Sequence, residues 1–327
     1  MRREITEIPD AVARLATPAA QDVLRSAAQK LRTLDPAALV TIARGSSDHA
    51  ATYLKYAIEV TLGLPVASIG PSTVTVHNAA FRADGLAALA ISQSGSSEDL
   101  AMLASHLRTA GAPIITLTNT PDSLLAGESS DVVDIAAGPE QAVAATKSFV
   151  NSIVGGLWLI GHWAEDDALL GALAALPPTL RRGIAAKMPA VTFGMLETAE
   201  SAMVIGRGAS LGLASEVALK LIETCGVHGS AYSAAEVLHG PRAILSDGFP
   251  VIALTSGAAG GMEQAIDALH RQGAGLVETP AREEVSHPLV DPLIDMPMLY
   301  GLLEAVSRAR GMSADAPQFL KKETQTL

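Results

Sequence analysis

Two stretches of this chain share one pattern, and that repetition limits the fold more than any other feature. LVTIARGSSDHAATYLKYAIE, from Leu39, and MVIGRGASLGLASEVALKLIE, from Met203, each read as a short apolar strand, an Arg-Gly turn and an amphipathic helix. Arg44-Gly45 and Arg207-Gly208 lie 163 positions apart, and the next strands, ending near Ser92 and Thr255, keep that offset. A third pair, GAPIITLT from Gly111 and GAGLVE from Gly273, is offset by 162. Three registered matches imply two similar halves. Strands alternating with helices predict an α/β fold, each half a parallel sheet flanked by helices. A chain of 327 residues, 49% apolar but only 3% aromatic, suits two such units. In such sheets ligands gather beyond the carboxyl ends of the strands. Gly45–Ser47 and Ser92–Ser97 both fall there.

The turn after the second strand is the most chemically informative. The apolar run Leu86 to Ile91 leads into Ser92-Gln93-Ser94-Gly95-Ser96-Ser97, and Glu98 opens a helical pattern with Leu100, Leu103, Ala104 and Leu107 on one side. Free backbone N–H groups and the positive end of a helix dipole attract an anion. The serines add neutral donors, and Gly95 lets backbone approach closely. No Lys follows the glycine, which excludes the nucleotide P-loop and favours a phosphate on a small molecule. The equivalent turn of the second half, TSGAAGG after Leu254, has lost most of these hydroxyls. One phosphate site per chain is expected, in the first half.

Charge and cysteine usage exclude several function classes. A net charge of −11 argues against nucleic acid or an anionic membrane as partner. A single cysteine, Cys225, rules out an internal disulfide framework and suits a reducing cytoplasm. MRREITEIPD has no signal-peptide core. The most apolar stretch, Ile153 to Ala164, is too short to span a bilayer and reads as a buried helix. The eight histidines show neither HExxH nor paired-Cys spacing, and no GxGxxG is present, so neither a metal nor a nicotinamide cofactor is implied.

The second half holds the candidate acid–base groups. In ASEVALKLIETCG, Glu216, Lys220 and Glu223 share one helical face, a pattern usually belonging to a solvated surface. In YSAAEVLHGP, Glu236 and His239 lie one helical turn apart, with Gly240-Pro241 ending the helix. The tail DAPQFLKKETQTL would act only if it docked. Residues 5–34 read as helix. Residues 166–200 read as a connector whose helices are broken at Pro177-Pro178.

Taken together, the Ser-rich turn, VAATKSF (Val143 to Phe149), EVALKLIET, AYSAAEVLHGP and PQFLKK resemble the sugar isomerase (SIS) family. Within it they resemble the isomerase half of glutamine:fructose-6-phosphate amidotransferase and its stand-alone relatives, from about residue 4 to the C-terminus. The resemblance implies two flavodoxin-like subdomains, spanning 36–165 with the phosphosugar site and 201–315. Segment 1–35 is then an N-terminal helical region, 166–200 a connector and 316–327 a tail carrying an active-site lysine. It implies that Ser46, Ser47, Ser92, Gln93, Ser94 and Ser97 hold the sugar phosphate and nearby hydroxyls, with Val143 and Ala144 giving backbone contacts. Glu223 matches the carboxylate that moves a proton between C1 and C2, and Lys220 a lysine assisting at the sugar oxygens. His239 matches a ring-opening histidine donated by a neighbouring subunit, so a homodimer is expected. Lys322 matches a lysine able to form a Schiff base with an open-chain ketose.

Departures from the family pattern direct the expected reaction. The amidotransferase carries a glutaminase domain ahead of this region, whereas here Met1 is followed at once by the isomerase-like start. The family's Cys-Gly-Thr-Ser turn is Arg44-Gly45-Ser46-Ser47 here, and its usual acidic residue after the second glycine is Ser96. The expected reaction is conversion of glucosamine 6-phosphate to fructose 6-phosphate and ammonia. Another amino-sugar or fructosamine phosphate is an alternative substrate. A non-catalytic phosphosugar-binding regulator is the alternative of a different class, since fold alone does not fix function.

Overall fold

A computed structural model describes residues 1–257, 260–280 and 286–322. They form two compact units. One comprises Asp10–Glu140 and Lys147–Ala174; the other comprises Met1–Pro9, Gln141–Thr146 and Ala175–Lys322. In chain order the elements begin with α1 (Arg2–Leu15), α2 (Pro18–Leu34), β1 (Ala38–Ile42), α3 (Ser46–Leu62), β2 (Val66–Ser68) and α4 (Ser72–Thr75). There follow β3 (Leu86–Ser92), α5 (Glu98–Thr109), β4 (Ile114–Thr118), α6 (Leu124–Gly127), β5 (Asp131–Asp134), α7 (Lys147–Ala164) and α8 (Asp167–Ala185). The remainder comprises α9 (Ala190–Thr198), β6 (Ser201–Gly206), α10 (Ser210–Cys225), β7 (His228–Ser233), β8 (Pro250–Ala253), α11 (Met262–Arg271), β9 (Gly275–Glu278) and α12 (Met296–Ala309).

The first sheet has five strands in the order β2-β1-β3-β4-β5, and every pairing is parallel. Both of its faces are covered. Val40, Ile42, Ala88, Ala90 and Ile114 pack with Leu103 and Leu107 of α5, and the alternate residues Leu39, Leu89, Ile91 and Leu117 are buried as well. Helix α7 is apolar along most of its length because it packs on both α2 and α3. Gly156 makes the second contact possible, since a Cβ there would lie 2.3 Å from Leu54 Cδ1.

The second sheet repeats the permutation with four parallel strands, β7-β6-β8-β9. Its core joins Met203, Ile205, Val251 and Ala253 to Met262, Ile266 and Leu269 of α11. Both sheets and their flanking helices are of the α/β class read from the repeats. In each, the first strand has the second on one side and the third on the other, so the order reverses at the β1/β3 and β6/β8 junctions. Crevices at such reversals bind ligands in open parallel sheets.

Three local readings need correction. Helix α8 runs unbroken through Pro177 and Pro178, and the chain leaves helical geometry only at residues 186–189. Two prolines cost two intrahelical bonds, but Leu169, Leu173, Leu176 and Leu180 are all buried on either side of them. Apolar burial outweighs the missing bonds. Second, Glu236–His239 is a single 3₁₀ turn after strand β7, not the end of an α-helix. Third, the Glu216–Lys220–Glu223 face is not a solvated surface: Glu216 and Lys220 are fully buried and only Glu223 is partly exposed.

Candidate active site

At the β1/β3 junction two helices begin, α3 after β1 and α5 after β3. Gly45 has φ +56° and precedes the first turn of α3, which starts at Ser46 and Ser47. After β3 the chain turns through Ser92–Ser97 into α5. Gly95 has φ +62°, and a Cβ on it would stand 2.0 Å from Ser123 Oγ, so no side chain fits. The turn is held internally. Gly95 N–H donates to Ser92 Oγ at 3.0 Å, Ser94 and Ser96 hydroxyls lie 2.7 Å apart, and Leu125 N–H donates to Gly95 O at 3.0 Å. Ser97 occupies the N-cap of α5 without using its hydroxyl as a cap. Among the described residues, the Ser47 and Ser97 side chains have no protein hydrogen-bond partner. The junction therefore offers free hydroxyls and two helix N-termini, the neutral-donor arrangement that suits a phosphate.

The first turns of α3 and α5 carry Asp48, Glu98 and Asp99, and Arg44 is paired with the last of these. Buried Asp99, in the first turn of α5, accepts from Arg44 Nε at 2.6 Å and lies 2.5 Å from Arg44 Nη2. Arg44 remains 46% exposed. Burial pushes the Asp48 carboxyl above the usual aspartate range, against a smaller opposing pull from His49. The Arg44–Asp99 pair spans 55 residues of sequence and left no signal in the local pattern.

In the other unit, close backbone approaches seat α10. A Cβ on Gly206 would meet Ser210 O at 2.5 Å, and one on Gly229 of β7 would meet Ala218 O at 2.2 Å. Helix α10 then carries Lys220 between Glu216 at 3.2 Å and Glu223 at 2.7 Å. Burial draws the Lys220 ammonium down, but Glu216 and then Glu223 outweigh it and hold its pKa above the usual lysine value. Tyr300 OH donates to Glu216 Oε1 at 3.4 Å, a contact with no signal in sequence. Glu216 and Lys220 are sealed, while Glu223 keeps 23% of its side chain exposed. The result is a supported carboxylate open to solvent.

The remaining expected site residues fall in two places. Glu140 caps α7, accepting from Lys147 N–H at 2.8 Å and from the Ser148 hydroxyl, so the chain is pinned where it leaves for and returns from residues 141–146. Within that excursion Glu4 accepts from the Gln141 and Ala142 N–H groups, and Val143 N–H donates to Asp315 O at 3.0 Å. Lys322 Nζ donates to Ala142 O at 2.5 Å, which brings the tail lysine to the backbone beside Val143 and buried Ala144. His239 is exposed on its 3₁₀ turn, next to a shallow basic hollow shared with Arg242 and Arg271. Residues 323–327 of the expected tail lie outside the described residues.

The β6/β8 junction is built differently. Thr255 is bonded through both N–H and hydroxyl to Thr279, and Arg207 Nε donates to Gly260 O at 3.2 Å. Ala258 and Ala259 of its loop lie outside the described residues.

Comparison with known proteins agrees with this architecture. A model of the SIS domain matches residues 35–159 and 195–277. The chain belongs to the SIS domain family. Over 98% of its length it is 30% identical to the isomerizing glutamine–fructose-6-phosphate aminotransferase of Mycobacterium tuberculosis H37Rv, of which it covers 57%. The chain thus spans about half the length of the curated relatives it matches. A crystal structure of a candidate phosphosugar isomerase from Silicibacter pomeroyi DSS-3 superposes with a TM-score of 0.90 at 44% identity, covering 96% of this SIS chain and 99% of that one. The glucosamine-6-phosphate deaminase of Thermotoga maritima shares the fold, with a TM-score of 0.73 at 20% identity over 93% of this chain and 99% of its own. Among the described residues no helix is long and apolar enough to cross a membrane.

Proposed function

We propose that this SIS protein is an aldose–ketose isomerase of amino-sugar phosphates that converts glucosamine 6-phosphate and water to fructose 6-phosphate and ammonia. One observation carries the reading: Glu223 is an accessible carboxylate paired with a sealed lysine that stays an ammonium. Such a carboxylate is suited to take a proton α to a carbonyl or imine. In this reading the β1/β3 serines, Ser46, Ser47, Ser92, Ser94 and Ser97 with Gln93, hold the phosphate, and the backbone at Val143 and Ala144 lies along the sugar. His239, supplied by a second copy of the chain in a homodimer, opens the ring. Glu223 takes the C2 proton and returns it to C1, turning the amino aldose into a C2 imine, while Lys220 neutralises charge developing on the sugar oxygens. Water adds to the imine and ammonia leaves. Lys322 offers a parallel route, since its amine can displace ammonia as a Schiff base that water then cleaves. The ammonia-releasing direction needs only water beyond the residues named. The aminotransferase relative and the deaminase of like fold support the choice of substrate class.

The test is a coupled assay for ammonia and fructose 6-phosphate over glucosamine 6-phosphate, its N-acetyl form and fructosamine 6-phosphates. Equal yields of the two products from glucosamine 6-phosphate are expected. Release from a fructosamine phosphate alone would reassign the substrate. Tight binding of phosphosugars with no ammonia from any of them would leave the regulator reading in place of the enzyme.

A further inference from the structure

None of the expected site residues lines the cavity of about 550 Å³ in the second-sheet unit. It is bounded by α12, α9, the non-helical stretch before α9 and the start of α1. Its floor is apolar, from Ile5, Met188, Phe193, Met298 and Leu302, and the volume lies in the range of small-molecule pockets. Gly301 leaves the α12 wall open, with nothing within 4 Å of where its Cβ would stand. The rim is basic: Arg2, Lys187 and Arg308 are exposed there and face one carboxylate, Glu304. Among the described residues, none of these four takes part in an ion pair. Three unneutralised cations around an apolar hollow stand out on a chain of net charge −11. An excess of positive charge over a greasy floor complements an anion carried on an apolar body.

We infer that this cavity binds a small aromatic anion, with its ring system against Phe193 and Met298 and its charged group at Lys187 and Arg308. The probe pair that tests this is anilinonaphthalene sulfonate and phenylnaphthylamine, which differ only in the sulfonate. Calorimetric titration of the full chain is expected to give one sulfonate bound per chain, with the neutral amine binding more weakly. Lys187→Gln combined with Arg308→Gln should weaken the sulfonate about tenfold, the effect of two modest charge contacts, and leave the amine unchanged. Gly301→Leu, or Ala305→Leu should that variant not fold, should abolish binding of both. Equal affinity for the two probes, or sulfonate binding untouched by either the charge or the filling variants in a protein that still melts cooperatively, would overturn the proposal.

Discussion

Glu223 and Lys220 are one helical turn apart, yet their surroundings give them different parts. Lys220 is sealed against Glu216, while Glu223 keeps part of its side chain exposed; in the proposed reaction the lysine is the fixed charge and Glu223 the base. Replacing Glu223 with Gln keeps the shape and removes the base. Turnover should fall by about a hundredfold or more, while phosphosugar affinity measured by calorimetry stays within about twofold. Unchanged turnover would remove Glu223 from the chemistry. Asp99 invites a second test. Asp99→Asn would remove the anion that compensates Arg44, and loss of such a charge-assisted contact costs about 1.5–3 kcal/mol, readable by urea denaturation. It should also make phosphosugar binding more dependent on salt, because an uncompensated guanidinium would then face the phosphate site. At this scale the motifs pointed to the residues but not to their partners. The i, i+4, i+7 spacing of Glu216, Lys220 and Glu223 was visible, but whether that face met water or core depended on β7 and α12, which no local pattern encodes.

Elements meet here through missing side chains. Helix α10 lies on β7 only because Gly229 has no Cβ to strike Ala218 O. Gly229→Ala would force the helix carrying Glu216, Lys220 and Glu223 to shift. A loss of about 1–3 kcal/mol is expected from such overpacking, and turnover should fall with it; wild-type stability in urea would contradict the packing described. The α2–α7 pair carries a pH dependence. His162 of α7 is hydrogen-bonded to Gln21 at 2.7 Å, and burial, followed by Arg25 and Arg32, lowers its pKa from the usual 6.5. The unfolded chain therefore binds the proton first, so stability is full above pH 6.5 and declines as the pH falls below it. Thermal melts between pH 7.5 and 5.5 should show a smaller acid loss in His162→Gln than in wild type. Periodicity read the α10 and α5 helices correctly, but misjudged α8 and the His239 turn. At Pro177-Pro178 burial on both sides overrode a strong local breaker, and the chain after β7 takes two short 3₁₀ turns that no apolar spacing distinguishes from a helix end.

At the level of the whole molecule, two copies of one strand permutation carry differently built junctions. The repeat itself was legible because strand-turn-helix units recur at a fixed offset, and that alone led to two parallel sheets. Sequence also pointed to the asymmetry, since serines crowd the first junction and not the second. What it could not supply was the excursion of residues 141–146 into the other unit, or the bonding of Lys322 and Asp315 to it, because those contacts join positions more than 170 residues apart. In the proposed reaction the phosphate sits at the first sheet's order reversal. Crystals soaked with the open-chain alcohol of glucosamine 6-phosphate test it directly. Phosphate density is expected at the carboxyl ends of β1 and β3, within hydrogen-bonding distance of the Ser47 and Ser97 hydroxyls. Phosphate found instead at the ends of β6 and β8, or away from both sheets, would contradict it.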